Sequence, residues 1–272
     1  KSCCHIWAIL RRSRRKRLDS YITMFTPVDD LSGCRVLISN DDGINAPGLA
    51  VLETIARTLT DDVWIVAPAH EQSGAGHSLT LHDPLRPTQL AEKKYMIDGT
   101  PTDCVLVAIQ HIMEENPPDL VLSGINMGEN LGEDVHYSGT IAAALEATLQ
   151  GVPSVALSQA INGTVSWAAV ELYAVDLIRS LFKASWNEDT LININFPDVV
   201  SGSVQELAVT QQGRRDAANI FIDERIDARN VPYYWIGFRR QKGEAHPKSD
   251  LAVLAGLDSV ALAETIAAHN DA

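Results

Sequence analysis

The sequence predicts an α/β fold built on an open, mostly parallel sheet flanked by helices. Short β-branched and aliphatic runs alternate with segments whose apolar residues recur at helical spacing, the order expected when helices cover both faces of a parallel sheet. Aliphatic residues are plentiful and only 6% of residues are aromatic, a balance that suits strands buried on both faces. Past residue 200 the alternation gives way to charged and aromatic extended stretches. The whole is thus a Rossmann-like body followed by a C-terminal extended β arm used in oligomerisation, since such arms often pair with a sister subunit. A chain of 272 residues is long enough for that body and appendage.

The elements follow in order. Val36 to Ile38 is a first strand, ended by the polar cluster Asn40, Asp41, Asp42 and Gly43. Pro47 then opens a helix carrying Leu49, Leu52, Ile55, Ala56 and Leu59 on one side. Asp61 and Asp62 break that pattern before a buried strand from Val63 to Ala67, so these three make a βαβ unit with a right-handed crossover. Pro68 to Leu81 is a polar, Gly-bearing loop, and the runs Leu85 to Leu90 and Tyr95 to Ile97 suit a small hairpin. Thr100 as cap and Pro101 in the first turn start a helix whose apolar side includes Val105, Ile109 and Met113. Leu120 to Leu122 is a strand leading into a polar, Gly-rich loop from Ser123 to Gly132. Ile141 to Leu149 is a helix by propensity, ended by Gly151. A strand from Val152 to Leu157, a helix from Trp167 to Phe182 and a strand from Leu191 to Phe196 complete the alternating part. Beyond it, Gln205 to Thr210 reads as strand-like, Gln211 to Asn230 as a loop with a short strand at Asn219 to Ile222, and Val231 to Phe238 as extended. Arg239 to Asp250 reads as loop, Leu257 to Leu262 as a last strand or helix start, and the tail from Ala263 as helical at best.

Charge and cysteine usage exclude several classes of function. The net charge of −13 includes seven Lys and Arg within the first seventeen residues, so the rest is more acidic than the whole. A body this acidic repels a nucleic acid polymer, and a small anionic substrate would need a metal beside it. No apolar run reaches the roughly twenty residues of a membrane span. The four cysteines, Cys3, Cys4, Cys34 and Cys104, have no metal-ligand spacing. Cys34 and Cys104 fall in apolar patterns and read as buried thiols of a reducing, cytoplasmic compartment. Residues 1–33 read as a non-globular basic leader, with the first globular element just after Met24 and a basic targeting arm as the alternative.

Three strands deliver polar loops to one rim, the carboxyl edge where open α/β sheets bind their ligands. Asp41, Asp42, Ser73 and Asn126 together offer only oxygen donors, the set selected by a hard divalent ion such as Mg²⁺ or Mn²⁺. Such an ion relieves the repulsion between adjacent carboxylates, holds a phosphate oxygen and acidifies a water, with one Asp as general base. Ser138, Gly139 and Thr140 form a helix N-terminus, which favours a phosphate. Asp is also a common turn and cap residue and Ser138 a common cap, so a purely architectural reading of each stands beside the chemical one. His77 and His136 lie in the same loops as candidate proton donors, against the plainer reading of solvated loop residues. The constellation suits hydrolysis of a phosphate ester.

The same residues carry a family resemblance. SNDDGINAPG at Ser39 to Gly48, QSGAGHSLT at Gln72 to Thr80, GTPTDCV at Gly99 to Val105 and SGINMGENLGEDVHYSGT at Ser123 to Thr140 are joined by LININFPD at Leu191 to Asp198 and YYWIG at Tyr233 to Gly237. Together, from about Arg35 to about Leu262, they resemble the SurE family of 5′/3′-nucleotidases. The resemblance implies a nucleoside monophosphate phosphohydrolase using one divalent metal ion per subunit, with Asp41, Asp42, Ser73 and Asn126 as ligands and a C-terminal arm exchanged in a homodimer or homotetramer. Residues 34–200 would be the Rossmann-like phosphatase core and 201–272 the oligomerisation arm. Activity on 3′-nucleotides and short polyphosphate is known within the family. Two other readings use the same residues: a nucleotide-binding module without hydrolysis, and an exopolyphosphatase. Against the first, the turn after Val36 to Ile38 lacks G-x-G-x-x-G, and its acidic residues would repel a pyrophosphate.

Overall fold

A computed structural model describes residues 23–198, 207–214, 220–238, 246 and 248–254. Its centre is a seven-stranded sheet in the order β3-β4-β2-β1-β5-β6-β7. The strands are β1 (Val36–Ser39), β2 (Val63–Pro68), β3 (Pro87–Ala91), β4 (Lys94–Ile97), β5 (Leu120–Met127), β6 (Ser154–Gln159) and β7 (Ile192–Phe196). All neighbours are parallel except the edge strand β3, which forms the expected hairpin with β4. In β1, Val36 faces Val63 on one side and Leu120 on the other, so the chain winds away from β1 in both directions. That makes the carboxyl end of β1 a topological switch point, where a crevice opens between oppositely directed connections.

Side chains of β1 alternate between two cores. Val36 and Ile38 pack with helix α1 (Pro47–Leu59) and helix α4 (Ala168–Ala184), through Leu49, Leu52, Ile55, Ile178 and Phe182. Leu37 packs with α2 (Pro101–Val107) and α3 (Gly139–Leu149), through Cys104, Val105, Ala143 and Ala147. Each fully buried aliphatic side chain contributes about 1.5–3 kcal/mol, so covering both sheet faces is what holds the rim rigid. Cys34 and Cys104 are free thiols, the second buried.

Several elements differ from the sequence-based expectation. Strand β5 runs to Met127, so half of the stretch read as a Gly-rich loop is strand, with an irregular register between Ser123 and Asn126. Helix α2 ends at Val107 and continues as a π-helical turn, Ala108–Ile112. The body begins earlier than residue 34, the start expected for the core. Phe25 and Val28 pack on the core, Leu31 is buried, and Phe25 meets Trp186 edge-on at 5.6 Å. The part of the expected leader before residue 23 lies outside the described residues, as do 205–206, 219 and everything from 255 on. Residues 207–210 are not strand. A two-stranded sheet is formed by β8 (Ile220–Ile226) and β9 (Pro232–Phe238), with β8 longer than expected. The short helix α5 (Asp250–Leu254), starting where loop was expected to end, docks back on the body: Asp250 accepts from the N–H groups of Gly132 and Gly213, both at 2.8 Å.

Candidate active site

The turn after β1 is locked before any ligand arrives. Asn40 Nδ2 donates to the Gly43 carbonyl at 2.9 Å, and the Ile44 N–H donates to the Pro68 carbonyl at 2.8 Å, joining the β1 turn to the end of β2. Gly43 has φ +98°, and a Cβ there would lie 3.3 Å from the His70 backbone, so only glycine turns the chain here. The Gln72 N–H donates to the Asp41 carbonyl at 2.8 Å, which brings the Ser73 loop onto the same rim.

Asp41 and Asp42 are neighbours in different surroundings. Asp41 is buried, and its Oδ1 accepts from Thr140 Oγ at 2.5 Å. Burial raises its pKa, while the Thr140 hydroxyl and the N–H groups of Thr140 and Gly139 pull it back. Asp41 therefore occupies the N-terminus of α3. Gly139 is required for that approach, because a Cβ there would come within 2.6 Å of Asp41 Cβ and 3.0 Å of Pro101 Cγ. Asp42 is half-buried, and its pKa is raised to about 6, first by burial, then by the charge of Asp41 and, more weakly, of Glu71, against an N–H bond from Met127. Among the described residues no lysine or arginine is paired with either carboxylate.

The remaining candidates, Ser73 and Asn126, are tied to this pair through their chain neighbours, Gln72 bonding the Asp41 carbonyl and Met127 bonding Asp42. Asn126 precedes Met127, and its amide nitrogen donates to the Gly128 carbonyl at 2.7 Å, which leaves Oδ1 as the acceptor. Ser73 is exposed in its loop, and its hydroxyl donates to Glu71 at 3.0 Å. Among the described residues no three His, Cys, Asp or Glu side chains converge as a metal cluster. A metal here would draw on two carboxylates, a hydroxyl and an amide oxygen. Two desolvated carboxylates with no cation beside them fit a hard divalent ion, which removes the cost of their shared charge. Thr140 is fully buried with its hydroxyl committed to Asp41, and Ser138 Oγ caps α3 by accepting from Ile141 N at 3.1 Å. The structure thus gives these two residues architectural bonds, and Asp41 also lies at the helix mouth where a phosphate is expected. His77 Nε2 lies 2.9 Å from Glu146 Oε2, and His136 Nε2 lies 3.1 Å from Gln212.

Sequence reasoning missed Glu71, whose charge reaches Asp42 and whose carboxylate holds Ser73. It also missed the partners through which Asn130 holds the Gly128 to Gly132 loop: Asn130 N–H donates to Asn195 Oδ1 at 2.8 Å, Asn130 Nδ2 to Ser158 Oγ at 2.9 Å, and Asn193 Nδ2 to the Asn130 carbonyl at 3.0 Å. The signal is present in Ile192-Asn-Ile-Asn-Phe196, a partly buried strand whose alternate positions are amides.

Comparison with known proteins identifies relatives of the chain and of its fold. Residues 36–219 match the family model described as survival protein SurE. The 5′-nucleotidase SurE of Parvibaculum lavamentivorans is 54% identical over 81% of this chain and 81% of that protein. The protein of the same name from Paramagnetospirillum magneticum is 52% identical over 87% of this chain and 92% of its own length. The crystal structure of the SurE protein from Aquifex aeolicus superposes with a TM-score of 0.71 at 36% identity, covering 82% of this chain and 90% of that one.

Proposed function

This chain belongs to the survival protein SurE family, and from that premise we propose that it is a metal-dependent phosphomonoesterase acting on nucleoside 5′-monophosphates. The observation that carries the chemistry is the desolvated Asp41 and Asp42 pair at the switch point of the sheet, with Asn126 Oδ1 and Ser73 on the same rim. One divalent ion per subunit, Mg²⁺ or Mn²⁺, would be held by Asp41, Asp42, Ser73 and Asn126. When bound, it supplies positive charge to the phosphate and acidifies a water.

The protein's own groups do the rest. Asp41, braced by Thr140 and by the mouth of α3, keeps its position as the ion comes and goes. Asp42, the less buried of the pair, takes the proton of the attacking water as general base. The water oxygen bonds to phosphorus, the ester P–O bond breaks, and the leaving nucleoside oxygen takes its proton from solvent. Ser138, Gly139 and Thr140 stay the phosphate-side residues of this reading, in which a phosphate shares with Asp41 the positive end of α3.

Two further parts of the reading concern the whole molecule. The β8–β9 hairpin exposes Ile222, Ile226, Tyr234 and Ile236 on one face, Ile236 at 70%, and Trp235 on the other. An isolated hairpin is marginal in water and so large an apolar patch marks an interface. The hairpin is then the part of the 201–272 arm that pairs with a second copy in a homodimer or homotetramer. Trp235→Asp with Ile236→Asp is expected to shift the protein to monomer in light scattering; an unchanged mass would remove the hairpin from the interface. A cytoplasmic location is supported by the free Cys34 and Cys104, and no helix among the described residues is long and apolar enough to cross a membrane.

The test is phosphate release from a panel of 5′- and 3′-nucleoside monophosphates and polyphosphate after EDTA treatment, with Mn²⁺ or Mg²⁺ added back. Metal-restored release, highest from 5′-monophosphates, is expected. Nucleotide binding without release under any metal would contradict the reading, and release from polyphosphate alone would make the protein an exopolyphosphatase.

A further inference from the structure

The loop that carries Ser73 has an unsupported tip. At Gly74, with φ +81°, no atom lies within 4 Å of where a Cβ would be, and Ser73 itself is exposed. The tip is therefore placed by its anchors. Gln72 N–H holds Asp41 on one side, and on the other the Gly76 N–H donates to the Tyr137 carbonyl at 3.1 Å. His77 follows with its 2.9 Å bond to Glu146, and Thr80 then bonds Asp103 through its N–H at 3.0 Å and its hydroxyl at 2.6 Å. Asp103 is already occupied as the capping-box partner of Thr100 in α2, so its burial has a local reason. Glu146, within α3, caps no helix.

Glu146 lies on α3 among buried Ile, Ala and Thr positions, and its side chain is 7% exposed. A carboxylate so placed costs several kcal/mol unless its oxygens are paired. One oxygen accepts from Gln150 Nε2 at 2.8 Å, and Gln150 Oε1 in turn accepts from Gln110 at 2.9 Å. The other oxygen has His77, which must donate from Nε2. Glu146 is two turns past Gly139, about 10 Å down the helix axis. A ring bonded there is held on the flank of α3, away from the mouth where Asp41 lies.

We propose that the His77–Glu146 pair is a tether that positions Ser73 from behind, so that His77 is a positioning residue for the reaction and not its proton donor. The proposal rests on the assignment of Ser73 as a metal ligand given above. Tying the loop to α3 fixes Ser73 relative to Asp41, because the mouth of the same helix holds Asp41 through Thr140. One rigid element thereby sets two ligands that come from different strands, as outer partners of metal ligands do elsewhere.

The experiment is Mn²⁺ binding to metal-stripped protein, read from the free-ion EPR signal, for His77→Ala, Glu146→Ala, the double variant and His77→Gln. Each alanine variant is expected to lose about tenfold in affinity, the low end of what outer partners contribute, and the double variant to lose no more than either single. His77→Gln keeps an amide N–H that reaches the same carboxylate. It is expected to bind Mn²⁺ like the wild type and to keep the wild-type pH profile of phosphate release. Should the alanine variants fail to fold by circular dichroism, His77→Gln decides the matter on its own. Three results would overturn the proposal: alanine variants with wild-type affinity while Ser73→Ala loses it, His77→Gln as weak as His77→Ala, or His77→Gln with wild-type affinity but a lost limb of the pH profile. Wild-type protein that bound no Mn²⁺ would instead strike the metal assignment itself, and the tether's purpose with it.

Discussion

The two ends of the central sheet use the same residue type in opposite ways. At the amino end, Asp62 is surrounded by donors: Arg35 Nε at 3.1 Å, Lys93 Nζ at 3.0 Å and Trp64 Nε1 at 2.9 Å. Burial works against its charge, but the bonds from Lys93 and Trp64 and the charges of Lys93 and Arg35 prevail, and its pKa is held low. At the carboxyl end, Asp41 and Asp42 meet hydroxyl and N–H groups and each other, and both pKa values rise. One end is complete as folded. The other carries an uncompensated charge, which is the expected mark of a site awaiting a cation and a substrate.

The contrast can be broken residue by residue. Asp42→Asn is expected to lower metal-restored phosphate release on the order of 10³-fold or more, since a metal site contributes several kcal/mol to the transition state. The same change should leave the thermal midpoint of metal-free protein unchanged or higher, because it removes a like charge. Asp41→Asn should lose as much activity but also destabilise the fold by about 1–3 kcal/mol, because an amide offers one acceptor oxygen where the carboxylate offers two to Thr140 and the N–H groups at the mouth of α3; equal stability of the two variants in urea would show that Asp41 is not part of the scaffold.

pH offers a gentler probe. The folded pKa of Asp42, near 6, lies above its ordinary 3.8, so the native state holds that proton more tightly than the unfolded chain. Its contribution therefore favours the fold at low pH and is lost as pH rises from about 4 to about 6. The urea midpoint of metal-free Asp42→Asn should then gain on that of wild type across this window, and saturating Mn²⁺ at pH 7 should raise the wild-type midpoint but not the variant's. A constant difference between the two proteins would refute the assigned pKa. The smallest effect belongs to the amino end: Asp62→Asn should cost about 1 kcal/mol or less, as a partly exposed ion pair does, and leave phosphate release unchanged.

Much of this was legible in the sequence because it is local. The β1 turn, Pro47 at the start of α1 and the capped Thr100-Pro101 turn each follow from residues within a few positions of one another. What was hidden depends on distant partners. Asp41 and Asp42 look alike in the sequence, and they are separated by Thr140, which lies 99 residues from Asp41 and is brought beside it by the β5–α3 connection. Glu146 belongs to a segment whose helical propensity was plain, but its carboxylate takes its meaning from His77, 69 residues away. The extension of β5 through Gly124 and Asn126 was missed because glycine and asparagine are poor strand formers and only pairing with β6 overrides them. Helix α5 was missed for a similar reason. It is a single short turn of chain, fixed by what Asp250 bonds on the body.

The central claim is that the rim carboxylates are kept without a protein cation so that a divalent ion can bind them. Calorimetric titration of metal-stripped wild type and Asp42→Asn with Mn²⁺ at pH 7 tests it most directly. One ion per subunit in the wild type, with binding lost in the variant, is the expected result. Equal binding in both proteins, or none in the wild type, would contradict it.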